Sequence, residues 1–297
     1  MFITKFIEYL TLERKYSVHT IAAYRNDLIS FRDFGMSTFE DFDLKTVDYG
    51  QIRNWIVVLV EEGKSNRTVN RKISSLKTFY KFLQKIEEID KSPLVKHRVL
   101  KTDKKIQIPF SNDEVMRVLT SLSDKEDFTS CRDRLIIELF YATGMRRIEL
   151  VNLKISDIDI GSQKVKVLGK RNKERIVPLL PIVCNRIDEY MPLRNQISGS
   201  HQVANLFITT KGVKIYETLV YRIINTYFSK ASSKVKTSPH ILRHSFATQL
   251  LNEGANLNAV KELLGHSSLA ATQVYTHQNV AQLTKAYKNA HPRNKKK

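Results

Sequence analysis

Residues 238–248 read SPHILRHSFAT, and this stretch predicts both a helix and a charged site on one side of it. Ser238 followed by Pro239 is a favourable N-cap and first-turn pair, so a helix is expected to begin here. Arg243 lies one turn after His240, which places both side chains on one face of that helix. The stretch therefore pairs a guanidinium with an imidazole on a rigid element.

Four further stretches of the second half carry residues of similar chemistry. They are TGMRRIEL (143–150), VLGKRNKERIVPL (167–179), LLGHSS (263–268) and VYTH (274–277). Together with the first stretch they contain the candidate catalytic residues Arg146, Lys170, His240, Arg243, His266 and Tyr275. Metal-free cleavage of a phosphodiester needs charge neutralisation, a nucleophile and a proton donor, and this set contains a candidate for each.

Arginine can neutralise the charge on the non-bridging oxygens of the phosphodiester, because its planar guanidinium binds two phosphate oxygens and stays protonated. Arg146 and Arg243 are the candidates for this role. Glu149 follows Arg146 by three residues, close enough to orient it. Lys170 stands at the tip of a predicted hairpin, where an ammonium group can protonate a leaving 5′-oxygen if nearby positive charge lowers its pKa.

Tyr275 is the candidate nucleophile among the 12 tyrosines. A phenol with a pKa of about 10 attacks poorly at neutral pH, so it needs neighbouring cations or a base. His266 lies nearby in the sequence, upstream across a short predicted turn.

Two other readings of these residues fail on spacing. His240 and His244 have the separation of a zinc pair on a helix, but Ile241 stands where a metalloprotease has glutamate and no third ligand is obvious. Lys170 follows a glycine as in a phosphate-binding loop, but Arg171 replaces the serine or threonine of that motif.

The composition indicates a basic protein with a polyanionic partner. The 297 residues carry a formal net charge of +19, and this length suits two domains. No apolar run approaches the roughly 20 residues that span a bilayer, so no membrane partner is expected. The two cysteines, Cys131 and Cys184, form no CxxC pair, which suits a reducing cytoplasm.

The first domain is predicted to be a helical bundle of four helices. The fourth follows SNRTVNRKISSLKTFYKFL (65–83), and one face of it is polar. That face contains Asn66, Arg67, Asn70, Arg71 and Lys72. Such a face is either ordinary solvated charge or a DNA contact, and the candidate cleavage site downstream favours DNA.

The predicted fold is mostly α with a small antiparallel β-sheet, in two domains. The predicted boundaries are 1–91 for the N-terminal helical domain, 92–109 for a basic linker and 110–297 for a C-terminal α+β domain. Ser111 and Glu114 predict a capping box, and Gly144 is expected to end the next helix. Strands are predicted in residues 155–160, 163–170 and 174–180, and late helices at Leu257–Leu264, Ser268–Tyr275 and Val280–Asn289.

Taken in their order along the chain, the five motifs resemble those of the tyrosine recombinase family, and the resemblance covers nearly the whole chain. The N-terminal domain is similar to the family's SAM-like core-binding domain, and KAYKNAHPR (285–293) resembles the end of the Xer group. The resemblance implies that Arg146 and Arg243 clamp the scissile phosphate and that Lys170 is the general acid. His240 and His266 would support the transition state and proton transfers. Tyr275 would form a 3′-phosphotyrosyl link, and Glu149 would support the first arginine.

The resemblance also implies the partners. The chain would act on double-stranded DNA recombination sites as a homotetramer, or as a heterotetramer with a related recombinase, through a Holliday junction. Its two domains would form a C-shaped clamp, and Val280–Asn289 would dock on a neighbouring protomer. No metal, ATP or other cofactor is implied. Whether an accessory DNA-binding protein or a DNA translocase takes part is left open.

Two stretches depart from the family pattern, one at residues 147–148 and one at residue 171. Arg147 and Ile148 stand where the family has valine or isoleucine and then serine, and Arg171 replaces a glycine in the hairpin. Arg171 is therefore a further candidate DNA contact. The expected function is Xer-like resolution of chromosome or plasmid multimers. The alternatives are an integrase or transposase of a mobile element, and a DNA-binding protein without catalysis.

Overall fold

The computed structural model describes residues 1–102, 108–122, 126–169, 173–232 and 237–265. The chain divides into two compact units, Met1–Lys105 and Ile106–Lys297. The helices predicted at Ser268–Tyr275 and Val280–Asn289 lie outside the described residues. Among the residues described, no helix is long and apolar enough to cross a membrane.

The first unit contains the four predicted helices. They are α1 (Phe2–Leu12), α2 (Val18–Thr38), α3 (Tyr49–Glu61) and α4 (Asn66–Lys85). The side chains of Ser17, Asp48 and Ser65 accept backbone N–H groups in the first turns of α2, α3 and α4. These caps satisfy amides that have no partner inside the helix, so the starts of all three helices are fixed locally.

Aromatic side chains fill the core of this unit. The rings of Phe6 and Phe79 meet edge to face at 5.4 Å, and those of Phe31 and Trp55 lie 5.0 Å apart. All four side chains are buried. Large apolar rings bury much area each, so they tie α1, α2, α3 and α4 into one bundle.

Residues 92–102 of the predicted linker are described and pack within the first unit. Leu94 belongs to its core. The side-chain amide of Asn70 donates to the Leu100 carbonyl at 2.8 Å, and its oxygen accepts the Leu100 N–H at 2.9 Å. The extended segment thereby gains the hydrogen bonds that an unpaired loop would lack.

The second unit is helical around one small sheet. Its elements are α5 (Asn112–Thr120), α6 (Phe128–Thr143), α7 (Arg147–Asn152), β1 (Ile158–Asp159), β2 (Lys164–Leu168), β3 (Glu174–Pro178), α8 (Pro181–Asn195), α9 (Glu217–Ala231), α10 (Pro239–Asn252) and α11 (Leu257–Leu264). Helix α6 is buried along most of its length and packs against α8 and α10. The capping box of Ser111 and Glu114 is confirmed, with both reciprocal hydrogen bonds formed.

The sheet is antiparallel in the order β1–β2–β3, as predicted. The first strand is shorter than predicted, because residues 155–157 form a 3-10 turn instead. The Lys154 N–H donates to the Asp157 carboxylate at 2.9 Å, which fixes that turn. Helix α9 had no counterpart in the prediction, although Val220, Ile224 and Phe228 repeat at helical spacing and are buried.

Candidate active site

Arg146 is the N-cap of the short helix α7 and lies two residues after Gly144, the glycine that ends α6. Gly144 has a φ of 58°, and an added Cβ would overlap the ring of Phe246. Only glycine suits this left-handed and crowded position, as predicted. The chain therefore turns sharply here and delivers Arg146 to the N-cap of α7.

Glu149 holds Arg146 by two hydrogen bonds. One carboxylate oxygen accepts the Arg146 backbone N–H at 2.7 Å, and the other accepts the guanidinium Nη1–H at 2.8 Å. The three-residue spacing thus produces the expected contact. Burial alone would raise the pKa of Glu149, but the hydrogen bonds and charge of Arg175 and then the hydrogen bonds of Arg146 outweigh it. The pKa of Glu149 consequently lies below its ordinary value.

Arg175 on β3 binds the same carboxylate, and the sequence reading missed it. Its Nη1 and Nη2 donate to the two Glu149 oxygens at 3.0 and 2.7 Å. Both side chains are almost fully buried. A signal was present in the alternation of the strand, since Arg175 falls in step with the inward-facing Val177.

Arg243 reaches the same region from α10. Its guanidinium donates to the Gly144 carbonyl and, at 2.7 Å, to the Leu264 carbonyl. Burial, reinforced by the positive charge of Arg146, lowers the pKa of Arg243 to about 10, so the group stays protonated at neutral pH. His240 lies one turn earlier on the same helix, but its side chain is exposed whereas Arg243 is buried.

The C-terminus of α11 binds all three of these arginines. The Leu263 carbonyl accepts Arg175 Nε–H at 2.8 Å, the Leu264 carbonyl accepts Arg243, and the Gly265 carbonyl accepts Arg146 Nη2–H at 3.0 Å. A helix C-terminus carries partial negative charge and free carbonyl groups, so cations are favoured there. Three guanidinium groups therefore converge on one short backbone segment.

The remaining candidate catalytic residues, Lys170, His266 and Tyr275, lie outside the described residues, as does Arg171. The residues directly before Lys170 and His266 are described, and both are glycines with defined contacts. The Gly169 N–H donates to the Lys173 carbonyl at 2.8 Å, which closes the base of the β2–β3 hairpin. Gly265 ends α11 in the left-handed conformation, directly before His266 in the sequence.

The predicted DNA-contact residues of α4 mostly bind other parts of the first unit. Asn66 donates to the Lys101 carbonyl at 2.8 Å, and Asn70 binds Leu100 as described above. Arg71 binds both oxygens of the buried Asp27 carboxylate at 2.6 and 2.9 Å, and Lys72 lies 3.2 Å from it. Arg67 is exposed. These side chains therefore have structural contacts besides any role on DNA.

Arg147 and Ile148, which depart from the family pattern, both lie at the start of α7. Arg147 Nε–H donates to the Glu217 carboxylate at 2.7 Å, and this partly exposed pair joins α7 to the start of α9. Ile148 is exposed on the surface of α7. Arg147 thus binds Glu217, while the Glu149 carboxylate is bound by Arg146 and Arg175.

The histidine pair considered for zinc lies on α10. Within the described ranges of the chain, no three His, Cys, Asp or Glu side chains are grouped closely enough to hold a metal ion.

Two known domain families match successive parts of the chain. Residues 3–86 match the N-terminal SAM-like domain of phage integrases, and residues 110–282 match the phage integrase family. Tyrosine recombinase XerC of Staphylococcus haemolyticus (strain JCSC1435) is 39% identical over 292 residues, covering 98% of this chain and 97% of the relative. Tyrosine recombinase XerC of Staphylococcus aureus (strain MSSA476) is 40% identical over 293 residues, covering 98% and 96%.

Solved recombinase structures share the architecture. The XerH site-specific recombinase in a post-cleavage complex with a palindromic difH substrate has a TM-score of 0.73 at 25% identity, covering 92% of this chain and 80% of that one. A lambda integrase(75-356) dimer bound to a COC' core site has a TM-score of 0.67 at 17% identity, with 93% and 98% covered, and supports the fold alone. The chain belongs to the phage integrase family and is a Xer-like tyrosine site-specific recombinase.

Proposed function

We propose that Arg146, Arg243, Lys170, His240, His266 and Tyr275 form the recombination site and that the enzyme resolves chromosome or plasmid multimers. The observation that carries this assignment is the convergence of Arg146 and Arg243 on the Gly144 turn and the end of α11. Two fixed guanidinium groups, both positively charged at neutral pH, suit a scissile phosphate, whose non-bridging oxygens gain charge in the transition state.

In the proposed reaction, the Tyr275 phenolate attacks the scissile phosphorus and displaces the 5′-oxygen. Lys170 gives that oxygen its proton, so a 5′-hydroxyl leaves and a 3′-phosphotyrosyl link forms. Arg146 and Arg243 neutralise the non-bridging oxygens, with His240 and His266 supporting them and Glu149 holding Arg146. The 5′-hydroxyl of another duplex then attacks the link and restores tyrosine. One phosphodiester is exchanged for another through an ester of similar energy, so the bonds balance.

The proposed partners follow from the charge and from the relatives. A net charge of +19 favours association with a polyanion. Similar recombinases have been solved on DNA sites, and a lambda integrase was solved as a tetramer on a Holliday junction. We place this chain on double-stranded DNA in the cytoplasm, as a homotetramer or with a related recombinase. We place its first domain, linker and catalytic domain at 1–91, 92–109 and 110–297.

The test is covalent capture of DNA in cells. Lysates are denatured, the protein is isolated with any attached DNA, and that DNA is sequenced beside a Tyr275→Phe control, which removes only the hydroxyl. We expect DNA with the wild type alone, drawn from one chromosomal locus or from plasmid resolution sites. Equal recovery of covalent DNA with Tyr275→Phe would refute the nucleophile.

A second candidate, an integrase or transposase of a mobile element, shares this chemistry. The fold supports it equally, since a Tn1549 transposon integrase matches with a TM-score of 0.69 at 20% identity. Captured DNA from element ends would favour this candidate over multimer resolution.

A further inference from the structure

Arg175 makes three charge-assisted hydrogen bonds although it has no place in the proposed reaction. Its Nη1 and Nη2 bind the two oxygens of Glu149, and its Nε binds the Leu263 carbonyl at 2.8 Å. The planar guanidinium fits this arrangement, whereas an ammonium group cannot bind two oxygens and a carbonyl in one plane. A buried ion pair contributes little net stability because desolvation offsets the attraction, so stability alone is a weak explanation of it.

The carboxylate of Glu149 joins Arg175 to the proposed catalytic arginine. On one side it binds Arg175, and on the other it binds both the backbone N–H and the guanidinium of Arg146. Its four hydrogen bonds leave the carboxylate little freedom to rotate. Without the Arg175 guanidinium, the Glu149 carboxylate could rotate. The Arg146 guanidinium that it binds would then lose its fixed orientation.

The base of the β2–β3 hairpin rests on the same ion pair. A Cβ placed on Gly169 would lie 3.6 Å from both Glu149 Oε1 and Arg175 Nη1, in ordinary contact. It would lie 3.2 Å from the Lys173 carbonyl across the hairpin. Gly169 directly precedes Lys170 in the sequence. The Glu149–Arg175 pair thus adjoins the residue from which the proposed general acid extends.

Arg175 also contacts the segment that leads to His266. Besides its bond to Leu263, its guanidinium lies close to Gly265, where an added Cβ would be 3.2 Å from Nη1. Gly265 directly precedes His266 in the sequence. One buried side chain therefore binds the Glu149 carboxylate of α7 and the end of α11, and lies beside the hairpin base.

We propose that Arg175 is a positioning residue for strand cleavage. It fixes the relative positions of Arg146, the base of the Lys170 hairpin and the segment before His266. The proposal rests on the proposed function, which supplies the roles of those three residues. A misplacement of about 1 Å can cost about 100-fold in rate, so a residue that touches no DNA can still control the reaction.

Arg194 provides a matched control in the same unit. It is also fully buried, and its guanidinium binds the carbonyls of Leu206, Val203 and Asn205 at 3.0, 2.6 and 2.9 Å. It lies on α8 and ties that helix to the following loop. Arg175→Lys and Arg194→Lys therefore make the same chemical change at two buried arginines, one beside the site and one in a structural position.

The test is single-turnover cleavage of a nicked duplex that carries the DNA sequence recovered by covalent capture. The scissile group is either a phosphate or a neutral methylphosphonate, which lacks the charge that Arg146 neutralises. At saturating protein, we expect Arg175→Lys to slow phosphate cleavage by about 10- to 100-fold with unchanged DNA affinity. On methylphosphonate the loss should shrink towards none, while Arg194→Lys shows the same ratio to wild type on both substrates.

Equal losses on both substrates, or no loss on either, would overturn the proposal. Amide hydrogen exchange of the free protein provides a readout that needs no cleavage. Arg175→Lys should speed exchange at Arg146, Gly169 and Gly265, and Arg194→Lys should leave those amides as in the wild type. Unchanged exchange at all three would also overturn it. A wild-type enzyme that cleaves neither substrate would refute the proposed function instead. The hydrogen exchange result would still decide whether Arg175 holds Arg146, Gly169 and Gly265 in place.

Discussion

Each unit of the molecule contains a buried carboxylate that binds two cations, but the two clusters differ in what their cations can reach. The Glu149 cluster (Glu149, Arg146 and Arg175) has its carboxylate and Arg175 buried, with Arg146 partly open. The Asp27 cluster (Asp27, Arg71, Lys72 and Ser75) has its carboxylate buried, but 48% of the Arg71 side chain is exposed.

The difference indicates separate roles for the two clusters. The Glu149 cluster joins α7, β3 and α11 at the point where Arg243 also arrives, so it orients a group of cations towards one place. The Asp27 cluster joins α2 to α4, and Lys72 in addition lies 5.6 Å from the centre of the Trp55 ring. We infer that the first cluster serves the reaction and that the second holds the helical bundle together.

The largest effect is expected from Glu149→Ala. This change leaves Arg175 buried without its carboxylate, which should destabilise the catalytic unit by about 3–5 kcal/mol. The only tryptophan, Trp55, lies in the first unit, so its fluorescence reports that unit alone. In urea, far-UV circular dichroism should show early loss of helix while the tryptophan transition stays near that of the wild type. A shift in the tryptophan transition alone would contradict the assignment.

Asp27→Asn should produce the opposite pattern with a smaller effect. The amide keeps one acceptor for Ser75 but loses the charge that binds Arg71 and Lys72, which should cost about 1–3 kcal/mol. The Trp55 transition should move to lower urea, while the part of the circular dichroism signal that unfolds with the catalytic unit stays in place. Coincident movement of both transitions would show that the two units are not independent in stability.

The stability of the catalytic unit should depend on pH through Glu149. The pKa of Glu149 is lowered in the folded protein, so its contribution is present above the ordinary value of 4.5 and is lost as the pH falls through the folded value. Acid should therefore weaken the catalytic unit, and Glu149→Gln should remove this part of the loss. An identical acid dependence of stability in wild type and Glu149→Gln would contradict the ion pair.

The smallest effect is expected from Arg67→Ala, which tests whether the exposed face of α4 binds DNA. Affinity falls as salt rises, and loss of one phosphate contact should make the slope of log affinity against log salt shallower by about one unit. The Trp55 transition should not change. Arg71→Ala should lower both the slope and the stability of the first unit, because Arg71 binds Asp27. If neither change alters the slope, this face is ordinary solvated charge.

Local signals allowed much of the fold to be predicted. The Ser111 capping box, the Gly144 stop and the alternation of β2 and β3 depend on residues a few positions apart, and the structure has them as expected. Helix α10 begins at Pro239 after Ser238 as predicted, but the Ser238 side chain makes no cap hydrogen bond. The contact between Glu149 and Arg146 is of the same kind, since it spans three positions. Helix α9 was missed although its apolar spacing was present.

Contacts between distant positions could not be predicted in this way. Asp27 lies 44 positions from Arg71, and Glu149 lies 26 positions from Arg175. A basic residue on a polar helix face reads as solvated or DNA-binding until its carboxylate partner is known, as with Arg71. A buried arginine on a strand reads as exposed for the same reason, as with Arg175.

The division of roles between the two clusters is tested most directly by the cleavage rates of Glu149→Gln and Asp27→Asn on the nicked duplex. Both are measured at saturating protein and at a temperature where both variants are folded. We expect a loss of about 100-fold for Glu149→Gln, because the carboxylate that holds Arg146 is lost, and a wild-type rate for Asp27→Asn. Equal rates for the two variants, or a greater loss in Asp27→Asn, would contradict the division of roles between the two clusters.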